Sequence, residues 1–565
     1  MPNPVQLSFE EPTMEPDVLD AEERDAYGEV FTRRWVADLI LDLVGYLPEH
    51  DLADMVLVEP ACGGGAFLEP IVDRLIESAV RHGHALDTLG DSLRAFDLKA
   101  ANVELSRKSS MSALVTAGVP PGRAEQIARA WINQGDFLLD ELDDEAASGA
   151  DFVVGNPPYI RIEDLPPDLV QRYRAACPTM QGRADIYVGF FERGLQLLRP
   201  QGRLGFICAD RWMHNQYGAG LRRLISGSFA VESVITMHDV DAFEQDVSAY
   251  PAVTVLRSDR QGRVSVAEAT DGLGASSAPG LVAWLKGSTP QPQSARHFNG
   301  SRLPAWFDGG DPWPTGSPKH LELLRQLEQR FPPLEDSTTG TRVGIGVATG
   351  CDDVFITTDP DLVEEDRLLP LLLADDLRSG TAEWQGRFLV NPWDDDGLVD
   401  LSRHPRLRAY FEAHAQRLGG RHVARRRPDQ WYRTIDRVQL RLLDRPRLVL
   451  PDMKSTSHPV LDAGPHYPHH NLYHVTSNSW DLEVLGGLLL SNLANLFVGA
   501  YCVKMRGGCY RFQAQYLRRI RVPVIESIRP FEQNALRRAF ASRDVPAATA
   551  VACKLFGIER SALAP

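Results

Sequence analysis

The sequence predicts an α/β fold over roughly residues 20–260, a doubly wound and mostly parallel sheet, with an α+β region after it. Three observations predict this. Short apolar runs alternate with amphipathic stretches of helical length. A glycine turn, Cys62-Gly63-Gly64-Gly65, follows the first of these runs. Residues able to bind a ligand recur where the runs end, and open α/β sheets bind ligands at the carboxyl ends of their strands.

The elements follow in order. MVLVE (Met55–Glu59) is expected as the first strand, and AFLEPIVDRLIESAV (Ala66–Val80) as the helix behind the glycine turn. LRAF (Leu93–Phe96) is a second strand, closed by Asp97, and a third is expected near Trp131–Asn133. DFVVG (Asp151–Gly155) is a fourth, cut off by Pro157 and Pro158, which lack the N–H that a ladder needs. A helix over about Asp185–Leu198 leads to the strand LGFICA (Leu204–Ala209). VESVITM and AVTVLR are expected to close the sheet as an antiparallel pair. Residues 270–317, rich in Gly, Ser and Pro, are expected as a linker, and Lys319–Phe331 restores a helix. RLVLP (Arg447–Pro451) is a strand of the second region.

Composition narrows the class. With 565 residues, 43% hydrophobic and 24% charged, the chain is neither disordered nor fibrous. It contains no apolar run near the ~20 residues needed to cross a bilayer, and its first residues form no secretory signal, so a cytoplasmic protein is expected. Seven scattered cysteines without a CxxC pair point to free thiols, and to neither a disulfide frame nor a structural zinc. The net charge of −16 is uneven: residues 401–530 hold 21 Lys and Arg against 9 Asp and Glu. A basic region beside an acidic body suits phosphate-backbone binding, and equally an arginine-rich solvated face.

Four motifs sit at successive strand ends. Glu59-Pro60-Ala61-Cys62-Gly63 lets the backbone turn tightly against a ligand; it lacks the Gly-Lys-Ser/Thr of a phosphate loop and the full GxGxxG spacing. Asp97 is placed to accept from ribose hydroxyls, or to cap the helix after it. Asp136 and Phe137 suit an adenine amino group and ring, or a plain turn with a core phenylalanine. The fourth motif, Asn156-Pro157-Pro158-Tyr159, decides between these readings. An exocyclic amino group on a base is a poor nucleophile because its lone pair is delocalised into the ring. Two acceptors aimed at its hydrogens, the Asn156 amide oxygen and the Pro157 carbonyl, would localise that pair. Pro157 and Pro158 hold the acceptors rigid, and Tyr159 offers a face for stacking.

With these motifs the sequence resembles the S-adenosylmethionine-dependent adenine-N6 DNA methyltransferases of bacterial restriction–modification systems, nearest to their Taq-like, gamma-order branch. The resemblance implies a Rossmann-like class I methyltransferase domain with a mixed, mostly parallel seven-stranded sheet, and a C-terminal α+β DNA-recognition domain. It divides the chain into an acidic arm (1–23), a methyltransferase domain (24–265), a linker (266–318), a target-recognition domain (319–530) and a helical tail (531–565). It implies Thr32, within the segment Tyr27–Thr32, together with Glu59, Ala61, Cys62, Gly63, Asp97, Asp136, Phe137, Asn156 and Pro158, as cofactor contacts. Asn156, Pro157, Pro158, Tyr159 and Phe243 are implied as catalytic, with Phe243 on the far side of a flipped base. The family's proline after Thr32 is Arg33 here.

In the second region, Gly344–Gly350 with Asp352–Phe355 resembles the opening of the Taq-like specificity domain. Arg421, Arg425, Arg426, Arg427, Arg433, Lys454 and Arg506 are candidate phosphate contacts there. His466, His469, His470 and His474 read as a polar loop, and no metal is expected. The implied partner is double-stranded DNA, with any restriction nuclease a separate chain and the enzyme a monomer. Cytosine N4, RNA guanine N2 and protein glutamine are the alternative acceptors of the same motif, and a silent DNA-binding defence subunit is the alternative role.

Overall fold

The apolar runs expected as strands lie side by side in one sheet of nine strands, seen in a computed structural model. It describes residues 30–140, 149–245, 250–287, 296–314, 316–502 and 509–563, and the chain divides into two units between Asp311 and Pro312. In the first unit α1 (Arg34–Val44) precedes β1 (Leu57–Glu59), α2 (Leu68–His82), β2 (Leu93–Asp97), α3 (Ala100–Thr116), α4 (Pro121–Trp131), β3 (Ile132–Gln134) and β4 (Ala150–Gly155). Then follow α5 (Pro167–Ala176), α6 (Tyr187–Leu197), β5 (Leu198–Ala209), α7 (Ala219–Ser228), β6 (Ala230–Thr236), β7 (Pro251–Arg257), β8 (Val264–Ala269), α8 (Ala278–Lys286) and β9 (Phe298–Leu303). The strand order is β3-β2-β1-β4-β5-β7-β6-β8-β9.

β1 to β5 run parallel, and β7 inserts antiparallel between β5 and β6. This is the class I methyltransferase arrangement. β4 reads as a continuous apolar run because all six of its residues are buried, as expected for a strand covered on both faces. The order reverses at β1 and β4, where Leu57 pairs with Phe152 and Val58 with Val153. A crevice opens beyond their carboxyl ends at such a switch point.

The sheet is wider than the seven strands expected. β8 joins β6 in parallel and β9 pairs antiparallel with β8. β8, α8 and β9 fall largely within residues 266–318, the stretch read as a linker. The Gly, Ser and Pro content concealed two short strands, each with four of its six residues buried. Trp284 of α8 seals the join: its ring lies 5.5 Å from Phe298, and a Cβ on Gly300 would meet it at 2.4 Å.

The second unit begins with α9 (Pro318–Arg330), whose first turn is capped by Ser317 accepting from the His320 N–H at 3.3 Å. One of its four-stranded sheets orders Arg342–Ile345, Leu472–Thr476, Arg447–Pro451 and Val460–Asp462, with Arg342–Ile345 at the edge. Another orders Ile356–Thr357, Phe388–Val390, Leu368–Leu372 and Tyr467–Pro468. The segment expected as a tail supplies helices Pro530–Ala541 and Val545–Phe556, and the first packs on helix Leu482–Leu490. The approach is close enough that a Cβ on Gly487 would meet the Leu536 carbonyl at 2.7 Å. Among the described residues no single helix is long and apolar enough to cross a membrane.

Candidate active site

The crevice at the switch point holds a pocket. All four strand-end motifs and the segment ahead of α1 line it.

The loop after β1 forms its floor. Gly63 (φ +50°) and Gly65 (φ +95°) take left-handed conformations that side chains resist, which lets the chain reverse within a few residues. The Cys62 N–H donates to the Phe96 carbonyl at 2.8 Å, tying the loop to β2. Asp97, at the end of β2, accepts from the Gly63 N–H at 2.9 Å, the Lys99 N–H at 2.8 Å and the Asn102 side chain at 3.1 Å. One carboxylate therefore fixes both the glycine loop and the approach to α3.

Glu59 is buried, with 1% of its surface exposed, and its Oε2 has no hydrogen-bond partner. Burial first, and then the negative charge of Asp97, push its carboxyl well above the ordinary range, favouring the protonated acid. Gly155 permits this packing, since a Cβ there would stand 3.0 Å from Glu59 Oε1.

Asp136 and Phe137 form another wall. Asp136 accepts from the Leu138 N–H at 3.0 Å and from the Tyr173 hydroxyl at 2.9 Å. Phe137 is buried and stacks on Phe190 at 5.4 Å with 25° between the planes. Tyr173 and Phe190 escaped the sequence reading because they lie on amphipathic α5 and α6, where an aromatic looks like core.

Asn156, just beyond β4, has its amide nitrogen committed: it donates to the Val30 carbonyl at 2.9 Å and to Thr32 Oγ1 at 3.1 Å. These two bonds fix the orientation of the amide and leave Oδ1 as its outward acceptor. That oxygen is buried and has no partner among the described residues. Thr32 is 2% exposed and is held by backbone pairing with Phe243. Flanking bonds run from the Arg33 N–H to the Ala242 carbonyl (3.1 Å) and from the Glu244 N–H to the Phe31 carbonyl (2.9 Å). Arg33, in place of the family's proline, reaches Asp241 at 2.6 Å.

Every expected cofactor residue, Thr32, Glu59, Ala61, Cys62, Gly63, Asp97, Asp136, Phe137, Asn156 and Pro158, lines this pocket. Pro157, Tyr159 and Phe243 do not. Tyr159 is half-buried, with its hydroxyl unpartnered, and its ring meets Tyr187 at 6.3 Å and Phe243 at 6.4 Å. The Tyr159 and Phe243 planes stand at 83°, edge to face, so the expected pair of parallel walls around a base is not present in this arrangement. The pairing with Thr32 draws Phe243 into the core, 5% exposed, where it supports the Tyr159 ring. Tyr27–Glu29, Asp246–Ser248 and Arg506 lie outside the described residues.

In the second unit, Arg425, Arg426 and Arg427 are exposed, and Lys454 is half-buried. Arg421 is occupied: it donates to the carbonyls of Thr349 (2.9 Å), Trp431 (2.9 Å) and Arg433 (2.7 Å), and its guanidinium covers the Phe355 ring. Arg433 likewise packs over Trp393 and donates to Gln430 at 3.2 Å. Both clamp loops through backbone carbonyls, a neutral amide and aromatic faces. The histidine segment is more ordered than a polar loop implied. His469 lies 3.3 Å from Asp352 and 2.9 Å from the ring of His470, while His466 bonds Asp462 at 2.8 Å.

Comparison with known proteins follows the same lines. A family model described as the Eco57I restriction-modification methylase matches residues 96–243. The type II methyltransferase M.XhoI of Xanthomonas vasicola is 42% identical over 547 residues, covering 95% of this chain and 98% of that protein. M.PaeR7I of Pseudomonas aeruginosa, another type II methyltransferase, is 43% identical over 555 residues, covering 95% and 94%. Among solved structures, the type IIL restriction-modification enzyme MmeI in complex with DNA superposes with a TM-score of 0.55 at 13% identity. That match covers 96% of this chain and 78% of the other, and it is a likeness of fold.

Proposed function

We propose, on the premise that this chain belongs to the type II methyltransferases of restriction–modification systems, that it methylates the N6 amino group of an adenine turned out of double-stranded DNA, with S-adenosylmethionine as donor. The observation that carries this reading is the Asn156 side chain, whose nitrogen is spent on Val30 and Thr32 while its buried oxygen is left without a partner.

The residues of the pocket fit the donor. Asp97 offers a carboxylate at the position of a ribose diol, Asp136 and Phe137 an acceptor and a ring for an adenine, and the glycine loop a close backbone approach. S-adenosylmethionine supplies, when bound, a methyl group activated by a sulfonium. The protein's own part is to hold the acceptor nitrogen. Asn156 Oδ1 and the Pro157 carbonyl accept the two amino hydrogens and draw the lone pair out of the ring. Because these acceptors are fixed beforehand, they need no reorganisation during reaction. Tyr159 stacks on the base, at about 1–3 kcal/mol per contact, offsetting part of the few kcal/mol that unstacking costs. Orientation of the attacking nitrogen then accounts for much of the rate.

On this reading the second unit binds the DNA target, the enzyme acts as a monomer, and any nuclease is a separate chain. The test is to incubate the purified protein with DNA and isotopically labelled S-adenosylmethionine, then digest to nucleosides and identify the product by mass spectrometry. N6-methyladenosine in the deoxy series is expected. Label on cytosine N4 would overturn the choice of base, and label on RNA or protein alone would overturn the substrate class.

A further inference from the structure

A second large cavity lies wholly in the second unit, next to Arg433, whose guanidinium shares the Trp393 ring with that of the groove residue Arg437. It is an open groove along the edge strand Arg342–Ile345, lined also by the segment Asp436–Arg445. Five arginines line it: Arg342, Arg437, Arg441, Arg445 and Arg518, all exposed. Only two carboxylates line it, and both are engaged. Glu335 accepts from the Val343 N–H at 2.9 Å and pairs with Arg518 at 3.2 Å; Asp436 accepts from the Ala348 N–H at 2.9 Å.

Among the described residues the other four arginines have no carboxylate partner. Arg441 donates to the Gln439 amide at 3.0 Å, Arg445 to the Asn478 amide at 2.8 Å, and Arg437 to backbone carbonyls of Asp394 and Asp395. These acceptors are neutral, so they orient the guanidinium groups without cancelling their charge. The segment is also anchored: the Gln439 N–H donates to the Tyr467 hydroxyl at 3.0 Å, and Asp436 holds Ala348. His474, also in the lining, adds no charge of its own at neutral pH. Burial, then the nearby Arg447, lowers its pKa to about 4.

We propose that this groove holds the sugar–phosphate backbone of duplex DNA, with Arg342, Arg437, Arg441 and Arg445 as its phosphate contacts. The proposal rests on the reading that the chain acts on DNA, and it assigns part of the binding surface of the second unit. Exposed arginines along one groove, three of them held by neutral acceptors, suit the phosphates of a nucleic-acid backbone. A buried anionic ligand would instead call for convergent, enclosed groups. Ile345, 48% exposed on the same strand, gives the groove an apolar margin.

The test is the variant R342Q/R441Q/R445Q in the full-length chain. Its affinity for a fluorescently labelled duplex is measured by anisotropy across a salt series, beside cofactor affinity by calorimetry and thermal unfolding. The expected result is at least about tenfold weaker DNA binding, with the log–log salt slope shallower by about 0.9 for each arginine that neutralises a phosphate, and cofactor affinity unchanged. Should the triple variant unfold, the single variants R441Q and R445Q answer instead, each expected to flatten the slope. A folded variant with wild-type affinity and slope overturns the groove assignment. If the wild-type chain neither binds nor methylates DNA, it is the functional reading that fails. If it methylates DNA and the variant binds as tightly, only the groove fails.

Discussion

The amide nitrogen of Asn156 donates to the hydroxyl of Thr32 at 3.1 Å, joining residues 124 positions apart. This bond, with its companion to the Val30 carbonyl, determines which way the amide points. Without it the nitrogen and oxygen could exchange places, and a donor would face the base where an acceptor is required.

Thr32→Ala tests that relationship. A hydrogen bond is worth about 0.5–1.5 kcal/mol, so methyl transfer should slow about two- to tenfold, with kcat lowered more than the affinity for DNA. Thr32→Ser, which keeps the hydroxyl, should restore the rate. Single-turnover kinetics of both variants check this.

Asp97→Ala should weaken cofactor binding by about 10- to 100-fold, because a charged acceptor bonded to the Gly63 and Lys99 amides is worth about 1.5–3 kcal/mol. Titration calorimetry reads the loss directly. Wild-type affinity would remove Asp97 from the site.

Tyr173→Phe deletes the donor that steadies Asp136 from α5. Cofactor affinity should fall about two- to tenfold while kcat at saturating cofactor is unchanged. A change confined to kcat would contradict a role in binding.

The buried acid Glu59 gives a pH dependence. Its carboxyl is raised by burial and then by Asp97, so the folded protein holds a proton that the unfolded chain releases near pH 4.5. The stability this contributes is fully present below that pH and is lost as pH rises through the raised value. Glu59→Gln, which cannot ionise, should flatten this part of the stability–pH curve above pH 4.5, as followed by thermal unfolding. A curve parallel to wild type would mean Glu59 does not hold its proton.

Much of the first unit was legible because its determinants are local. Asp151–Gly155 is a run of apolar residues ended by proline, and the structure has its strand at Ala150–Gly155. Asp97 and Asn156 could be found because each closes a strand, where the fold itself aims side chains at the crevice. β8 and β9 were missed because they pair across a composition that elsewhere means loop. Tyr173 and Phe190 were missed because an aromatic on an amphipathic helix carries no mark of the pocket it faces. For Arg421 and Arg433 the sequence showed the charge but not its surroundings. Charge is visible in sequence, whereas the carbonyls and rings that engage it come from Thr349, Trp431 and Trp393, brought near only by folding.

The measurement that bears most directly on the account is methyl transfer by Asn156→Ala under single-turnover conditions, with cofactor affinity measured on the same preparation. Removing the side-chain acceptor of the pair should lower the rate by at least about 10²-fold, the scale of losing a preorganised hydrogen-bonding group, while S-adenosylmethionine still binds within a few-fold of wild type. Transfer at the wild-type rate would contradict the account, since the amino group would then be activated without Asn156.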